Sequence, residues 1–144
     1  MDIEIVHSPY HVELYGCSGT IEHANPAATG FALMDKMWKE IKAHGWQNKG
    51  INIWVYGPGN QLFTGVELIS DPGVTILERR TVWLPGYARY KHIGPYRLLG
   101  EVYEQFAGEL RARNLTFSTP YLEIYGHYSA NEHECETEVM MQIA

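Results

Sequence analysis

At 144 residues the chain is long enough to bury one substantial core and short for two. Its net charge of −6 argues against nucleic acid as a partner, because binding a phosphate backbone needs basic patches. No apolar run approaches the roughly 18 residues of a membrane span, and Met1-Asp2-Ile3-Glu4 lacks the character of a signal peptide. Cys17 and Cys135 give no disulfide framework and are read as reduced thiols in a cytoplasmic protein. Ten Tyr and four Trp stand against four Phe, a balance that favours half-exposed concave surfaces over dry cores.

In chain order, Ile3 and Ile5, then Val12 and Leu14, alternate with polar residues as in strands, with Ser8-Pro9 as an interruption. Gly16-Cys17-Ser18-Gly19 reads as a bulge or turn before Thr20-Ile21-Glu22-His23. Asn25-Pro26 predicts a helix start, since Asn can cap free N–H groups and Pro fits the first helical position. Phe31, Met34, Met37, Trp38 and Ile41 mark one helical face, and Gly45 ends the helix. Residues 51–56 predict a strand, Gly57-Pro58-Gly59-Asn60 a hairpin turn, and residues 62–69 a second strand.

Ser70-Asp71-Pro72-Gly73 is a turn-rich link, after which the order recurs. Strand signals cover residues 74–84 and 87–92 around a Pro85-Gly86 bulge. Gly94-Pro95 predicts a helix start, with Leu99, Val102, Phe106 and Leu110 on its core face. Residues 121–128 and 136–143 predict the closing strands around a loop at 129–134.

The recurrence has a fixed offset of 69 residues. His23/His92, Pro26/Pro95, Glu40/Glu109, Ala43/Ala112, Tyr56/Tyr125 and Gly57/Gly126 all fall on it. A period near half the chain predicts a pseudo-twofold duplication of a β-α-β-β module: α+β, an antiparallel sheet, two helices on one face and a ligand groove between the halves. The expected repeats are residues 1–70 and 74–144 of one domain spanning 1–144. At the groove's centre the repeat is broken, with Trp54 in one half answering to Glu123 in the other.

Alternation splits the central strands into two sets. Ile51, Ile53, Val55, Leu122 and Ile124 are expected to meet the helices. Asn52, Trp54, Tyr56, Tyr121, Glu123, Tyr125 and His127 are expected on the opposite face, lining a shared concavity. A carboxylate flanked by tyrosines and opposite a Trp suits an organic cation, because aromatic rings attract cations through their quadrupoles. The bland alternative is a solvated Glu among cross-strand tyrosines.

At these residues the chain resembles the GyrI-like effector-binding family, the ligand-binding modules of bacterial multidrug regulators and their stand-alone relatives. The resemblance rests on His92-Ile93-Gly94-Pro95-Tyr96, Pro120-Tyr121-Leu122-Glu123-Ile124-Tyr125, the closing Glu138-Val139-Met140-Met141-Gln142-Ile143 and the Pro85-Gly86-Tyr87-Ala88 segment. It covers essentially the whole chain. It implies a groove in which Glu123 meets cationic aromatic ligands; strand alternation places Trp54, Tyr56, Tyr121 and Tyr125 around it, and Tyr87 and Tyr96 are expected near its mouth. Two departures are the missing Pro near the end of the last strand and Ala24-Asn25 where the second half has Ile93-Gly94. No helix-turn-helix segment is seen, so a stand-alone module is expected.

The resemblance also leaves a second reading open, since some stand-alone members resemble hydrolases of strained, electrophilic small molecules of cyclopropanoid type. Glu123 would then be the general base and Tyr125 a proton donor. A protein-partner inhibitor using Glu132, Glu134, Glu136 and Glu138 is a third, and a solvated edge is the plainer account of that run. A haem-carrier role fits badly, as an anionic tetrapyrrole would lie beside Glu123. His127, His133 and Cys135 with Glu132 and Glu134 match no closed zinc pattern, so neither metal nor cofactor is expected.

Overall fold

The computed structural model describes residues 1–126 and 128–144. The strands are β1 (Glu4–Val6), β2 (Tyr10–Thr20), β3 (Ile53–Tyr56), β4 (Gln61–Val66), β5 (Glu78–Leu84), β6 (Tyr87–Ile93), β7 (Phe117–Tyr125) and β8 (Glu136–Ile143). The helices are α1 (Pro26–His44) and α2 (Leu99–Ala112). The strands form one eight-stranded sheet in the order β1-β6-β8-β7-β3-β4-β2-β5, antiparallel at every described pairing. This is the α+β duplication the 69-residue offset predicts. The halves join through β3 and β7, where Trp54 pairs directly with Glu123.

The two halves interlock. β1 leads the first half yet pairs with β6, and β5 leads the second yet pairs with β2. Glu4–Val6 lies along Tyr87–Arg89 while Tyr10–Gly16 lies along Glu78–Leu84, so the two ends of the sheet cross. The sheet thereby wraps one of its faces inward. Val12, Leu14, Val55, Phe63, Leu84 and Leu122, all strand residues, fill that wrapped core.

This corrects the expected assignment of faces. The aliphatic set Ile53, Val55 and Leu122 lies in the wrapped core, away from the helices. The aromatic and polar set lies on the helix side. Alternation defines two faces but not which of them the helices take. Here each helix covers the outer strands of its own half. Met37 and Ile41 of α1 pack on Cys17 and Val66. Leu99, Val102, Phe106 and Leu110 of α2 pack on Ala88, Val139 and Met141, each buried side chain contributing about 1.5–3 kcal/mol. β3 and β7 lie between the helices, which cover them only in part.

Three local expectations also change. Gly16 does not turn the chain. It sits mid-strand opposite Gly65, and a Cβ there would lie 1.8 Å from the Thr64 carbonyl oxygen, so the glycine permits a close backbone approach inside β2. β5 begins at Glu78, not at residue 74, because the segment before it is tied to α1: Thr75 Oγ1 and Ile76 N donate to Glu40 Oε2 at 3.1 and 3.3 Å.

The starts of the two helices differ as well. α1 starts as its sequence predicts, with Asn25 Oδ1 accepting from Ala28 N at 3.1 Å, and Gly45 closes it in the left-handed region. No side chain caps α2. A 3₁₀ turn, Tyr96–Leu98, intervenes between Pro95 and the helix, and that turn carries Tyr96 out over the strands between the helices.

Candidate functional site

The gap between the helices is a cavity of about 810 Å³ with β3 and β7 as its floor. Its lining follows the internal repeat. Asn52 and Tyr121, Trp54 and Glu123, and Tyr56 and Tyr125 pave the floor in pairs 69 residues apart. Met34 and Tyr103 answer each other on the two helical walls, as do Phe31 and Gly100. The twofold frame is thus filled asymmetrically, with one acid and an excess of rings.

Glu123 is the centre of the asymmetry. It is 3% exposed. Its Oε1 accepts from Tyr56 Oη at 3.1 Å and from Tyr125 Oη, and its Oε2 accepts from Tyr103 Oη at 2.8 Å. Among the described residues no basic side chain pairs with it. Desolvating a carboxylate this far costs several kcal/mol, which hydrogen bonds to the charge, worth about 1.5–3 kcal/mol each, offset in part.

Burial pushes the Glu123 carboxyl above its ordinary range, against the opposing pull of the three tyrosine hydroxyls. Burial, and then the Glu123 charge, push Tyr56, Tyr103 and Tyr125 upward too. The phenols therefore stay protonated and donate.

Trp54 is 4% exposed, although it belongs to the floor. It owes this to Gly30 of α1, where a Cβ would lie 2.1 Å from the indole Cη2. The helix presents bare backbone to the ring. The repeat-related position is Leu99, so a small residue over a large one in the first half replaces a large one over the acid's side of the groove. From Trp54 a belt of edge-on rings crosses the floor. Phe31 meets Trp54 at 5.9 Å and 80°, Trp54 meets Tyr125 at 5.3 Å and 65°, and Tyr125 meets Tyr96 at 5.4 Å and 86°. Such pairs add about 0.5–1.5 kcal/mol each beyond area burial. The belt ends at the mouth in Phe31, 55% exposed, and Tyr96, 37% exposed. Arg97 also reaches the mouth, held by Glu132 at 2.8 Å.

Of the site residues expected from sequence, Glu123, Trp54, Tyr56, Tyr121, Tyr125 and Tyr96 all line this one cavity. Tyr87 does not. It is buried in the wrapped core, 6.0 Å from the Tyr10 ring, because its register on β6 points it to the face opposite Ala88 and the helices. His127, expected on the same face as Glu123, lies outside the described residues. Tyr103 was not singled out. The signal was present: 103 is the repeat partner of Met34, next to the core position Val102, so a polar ring there points to the edge of the helix's buried stripe.

The repeat-related histidines differ. His92 is buried, with Nε2 3.0 Å from the Pro95 carbonyl, whereas His23 is exposed and in the left-handed region. The acidic run at the closing strand is largely matched by neighbouring charge, with Glu132 on Arg97 at 2.8 Å, Glu136 on Lys91 at 3.9 Å and Glu138 on Arg89 at 3.7 Å.

No protein-family model matches the chain, and no curated protein is similar to it by sequence. Its likeness is to solved structures. The EcmrR C-terminal domain superposes with a TM-score of 0.75 at 13% identity, covering 100% of this chain and 99% of that one. SAV2435 bound to tetraphenylphosphonium gives 0.63 at 14%, covering 100% and 94%. A hydrolase from Listeria innocua gives 0.58 at 11%, covering 99% and 91%. At these identities the shared property is the fold. A protein bound to tetraphenylphosphonium and a hydrolase both have it. No helix among the described residues is long and apolar enough to cross a membrane.

Proposed function

We propose that residues 1–144 form a GyrI-like effector-binding module, with repeats at 1–70 and 74–144, that receives cationic, aromatic, lipophilic small molecules in the groove between its helices. The observation that carries this reading is Glu123: a deeply buried carboxylate, held by three tyrosines, without a basic partner among the described residues, in a cavity walled by rings. A cation entering there gains the Coulomb attraction of a weakly screened charge and the quadrupoles of the rings. Trp54, Tyr56, Tyr96, Tyr121 and Tyr125 are the proposed contacts with Glu123. SAV2435, of the same fold, holds a phosphonium cation, which supports this class of ligand. The buried free thiols Cys17 and Cys135 suit a cytoplasmic setting. The test is a thermal-shift screen of lipophilic cations beside neutral molecules of the same shape. Stabilisation by the neutral compounds alone would sink the reading.

The same geometry predicts how binding varies with pH. The charged form of Glu123 attracts the cation, and its carboxyl sits above the ordinary range through burial. Affinity is therefore level above that raised value and falls as pH drops through it, by about tenfold per pH unit at first. The fall begins before ordinary surface carboxylates titrate. The upper limb stays flat because the three tyrosines are pushed upward. Dissociation constants for methyltriphenylphosphonium between pH 4 and 9 check this; a profile that is level throughout removes Glu123 from the electrostatics.

A hydrolytic reading has one specific observation behind it, a carboxyl of raised pKa in contact with phenolic donors. Glu123 would act as general base on water and Tyr125 would donate a proton to the leaving group of a strained electrophile. Turnover of an electrophilic cyclopropane that is lost in Glu123→Gln would favour it over simple binding. The receptor reading ranks higher because three donors already hold the carboxylate and its burial leaves water little access to it.

A further inference from the structure

We infer that the groove selects cations that carry no N–H, quaternary ammonium or phosphonium centres, over primary ammonium and guanidinium ions of equal size and charge, and that Tyr103 enforces this choice. The inference rests on the cation-receptor reading and narrows its ligand class.

A carboxylate offers about four lone-pair sites. At Glu123, Oε1 accepts from Tyr56 and Tyr125 and Oε2 accepts from Tyr103. At 3% exposure little of the carboxylate faces the cavity. Its charge reaches a ligand, but three of its lone pairs are already taken and little of the fourth is exposed. The other side-chain acceptor in the lining, Asn52 Oδ1, already accepts from Trp38 Nε1 at 2.9 Å. What remains on the side chains is phenolic oxygen, a poor replacement for the water that a primary ammonium gives up on entry.

An ammonium donor buried without a full set of acceptors is penalised. A phosphonium or quaternary ammonium has no donor to leave unmet, and its charge is spread over an apolar surface. It loses little hydration and keeps the attraction of the buried charge and the rings. Discrimination is therefore built from a carboxylate with three of its about four acceptor sites taken and little of it exposed, the kind of arrangement that rejects a partner by leaving its polar groups unpaired.

Tyr103 is the group through which this can be tested. It comes from α2, whereas Tyr56 and Tyr125 come from the floor, and it alone occupies Oε2. Removing its hydroxyl frees a lone pair on the wall side of the carboxylate without changing the ring.

The probes are methyltriphenylphosphonium and protonated triphenylmethylamine, which share three phenyl rings and one positive charge and differ in N–H. Calorimetry on the wild-type chain should give a preference for the phosphonium of at least about tenfold. In Tyr103→Phe the ratio should narrow several-fold, because the amine gains an acceptor and the phosphonium gains nothing. Equal wild-type binding of the two cations overturns the inference and leaves the receptor reading standing. So does a ratio that Tyr103→Phe leaves unchanged while both cations still bind. If neither cation binds the wild-type chain, the inference falls together with the receptor reading.

Discussion

Glu123→Gln is expected to lose lipophilic-cation binding by about 100-fold, roughly 2.7 kcal/mol, while the ligand-free protein melts higher than wild type. The two effects have one cause. The substitution keeps the side chain's shape and removes the charge that the cavity was built around. Gln keeps a carbonyl to accept tyrosine hydroxyls, and the hydroxyl facing its amide turns to accept. A neutral triaryl compound of matched shape should bind both proteins alike, because only the charge has changed.

The gain in stability follows from the direction of the Glu123 shift. Burial raises its carboxyl in the folded chain above the unfolded value. The folded state then holds the proton more tightly than the unfolded state does. Stability is therefore greatest below the ordinary carboxylate range and falls as pH rises through the raised value. Above the raised value the wild type carries the cost of the buried charge, and Gln carries none. A difference of about 1 kcal/mol would shift the melting temperature of a chain this size by about 3–5 °C. Melts of ligand-free wild type and variant check this at two pH values. The gap should be wider at the higher pH and narrow as pH falls through the raised value. A variant that melts lower at pH 7 and also fails to bind the neutral compound would mean that Glu123 holds the groove's shape, not its charge preference.

Much of this site is legible in the sequence because duplication gives each position a partner to be compared with. Trp54 against Glu123 is visible at once, since the residues flanking them repeat in type as Ile53/Leu122, Val55/Ile124 and Tyr56/Tyr125. Strand alternation alone puts Tyr56, Tyr121 and Tyr125 on the same face as the acid. Which way that face points is not legible. It depends on β1 and β5 crossing to the opposite halves and wrapping the sheet, a long-range pairing that leaves no local pattern. Tyr87 was misplaced for the same reason, as its register on β6 is set by that crossing. Gly16 was read as a turn because a glycine that admits a neighbouring backbone looks the same in sequence as one that bends its own. The repeat marks Tyr103 as a groove-wall position, but its bond to Glu123 is not legible, since a helix and a strand 20 residues apart meet there.

Gly30→Ala should destabilise the chain even though alanine is the better helix former. In an exposed helix interior the change stabilises by about 1 kcal/mol. Here the new Cβ would stand 2.1, 2.4 and 2.5 Å from three carbons of the Trp54 ring. The ring cannot move down, because the floor strand carries it, nor stay, because the contacts are far inside van der Waals distance. It must swing along the groove toward Tyr125 or lift α1 from β3. Overpacking of this kind costs about 1–3 kcal/mol, so the net effect is a lower melting temperature. Either movement also narrows the cavity beside Glu123, and cation affinity should fall by about tenfold without any change in charge. Trp54→Phe in the Gly30→Ala background supplies a shorter ring and should recover most of the lost stability. The checks are thermal melts of the single and double variants, with cation binding alongside. A Gly30→Ala protein that melts higher than wild type and binds the cation unchanged would show that the indole does not lie under that helix, and with it would fall the proposal that Trp54 walls the groove opposite the acid.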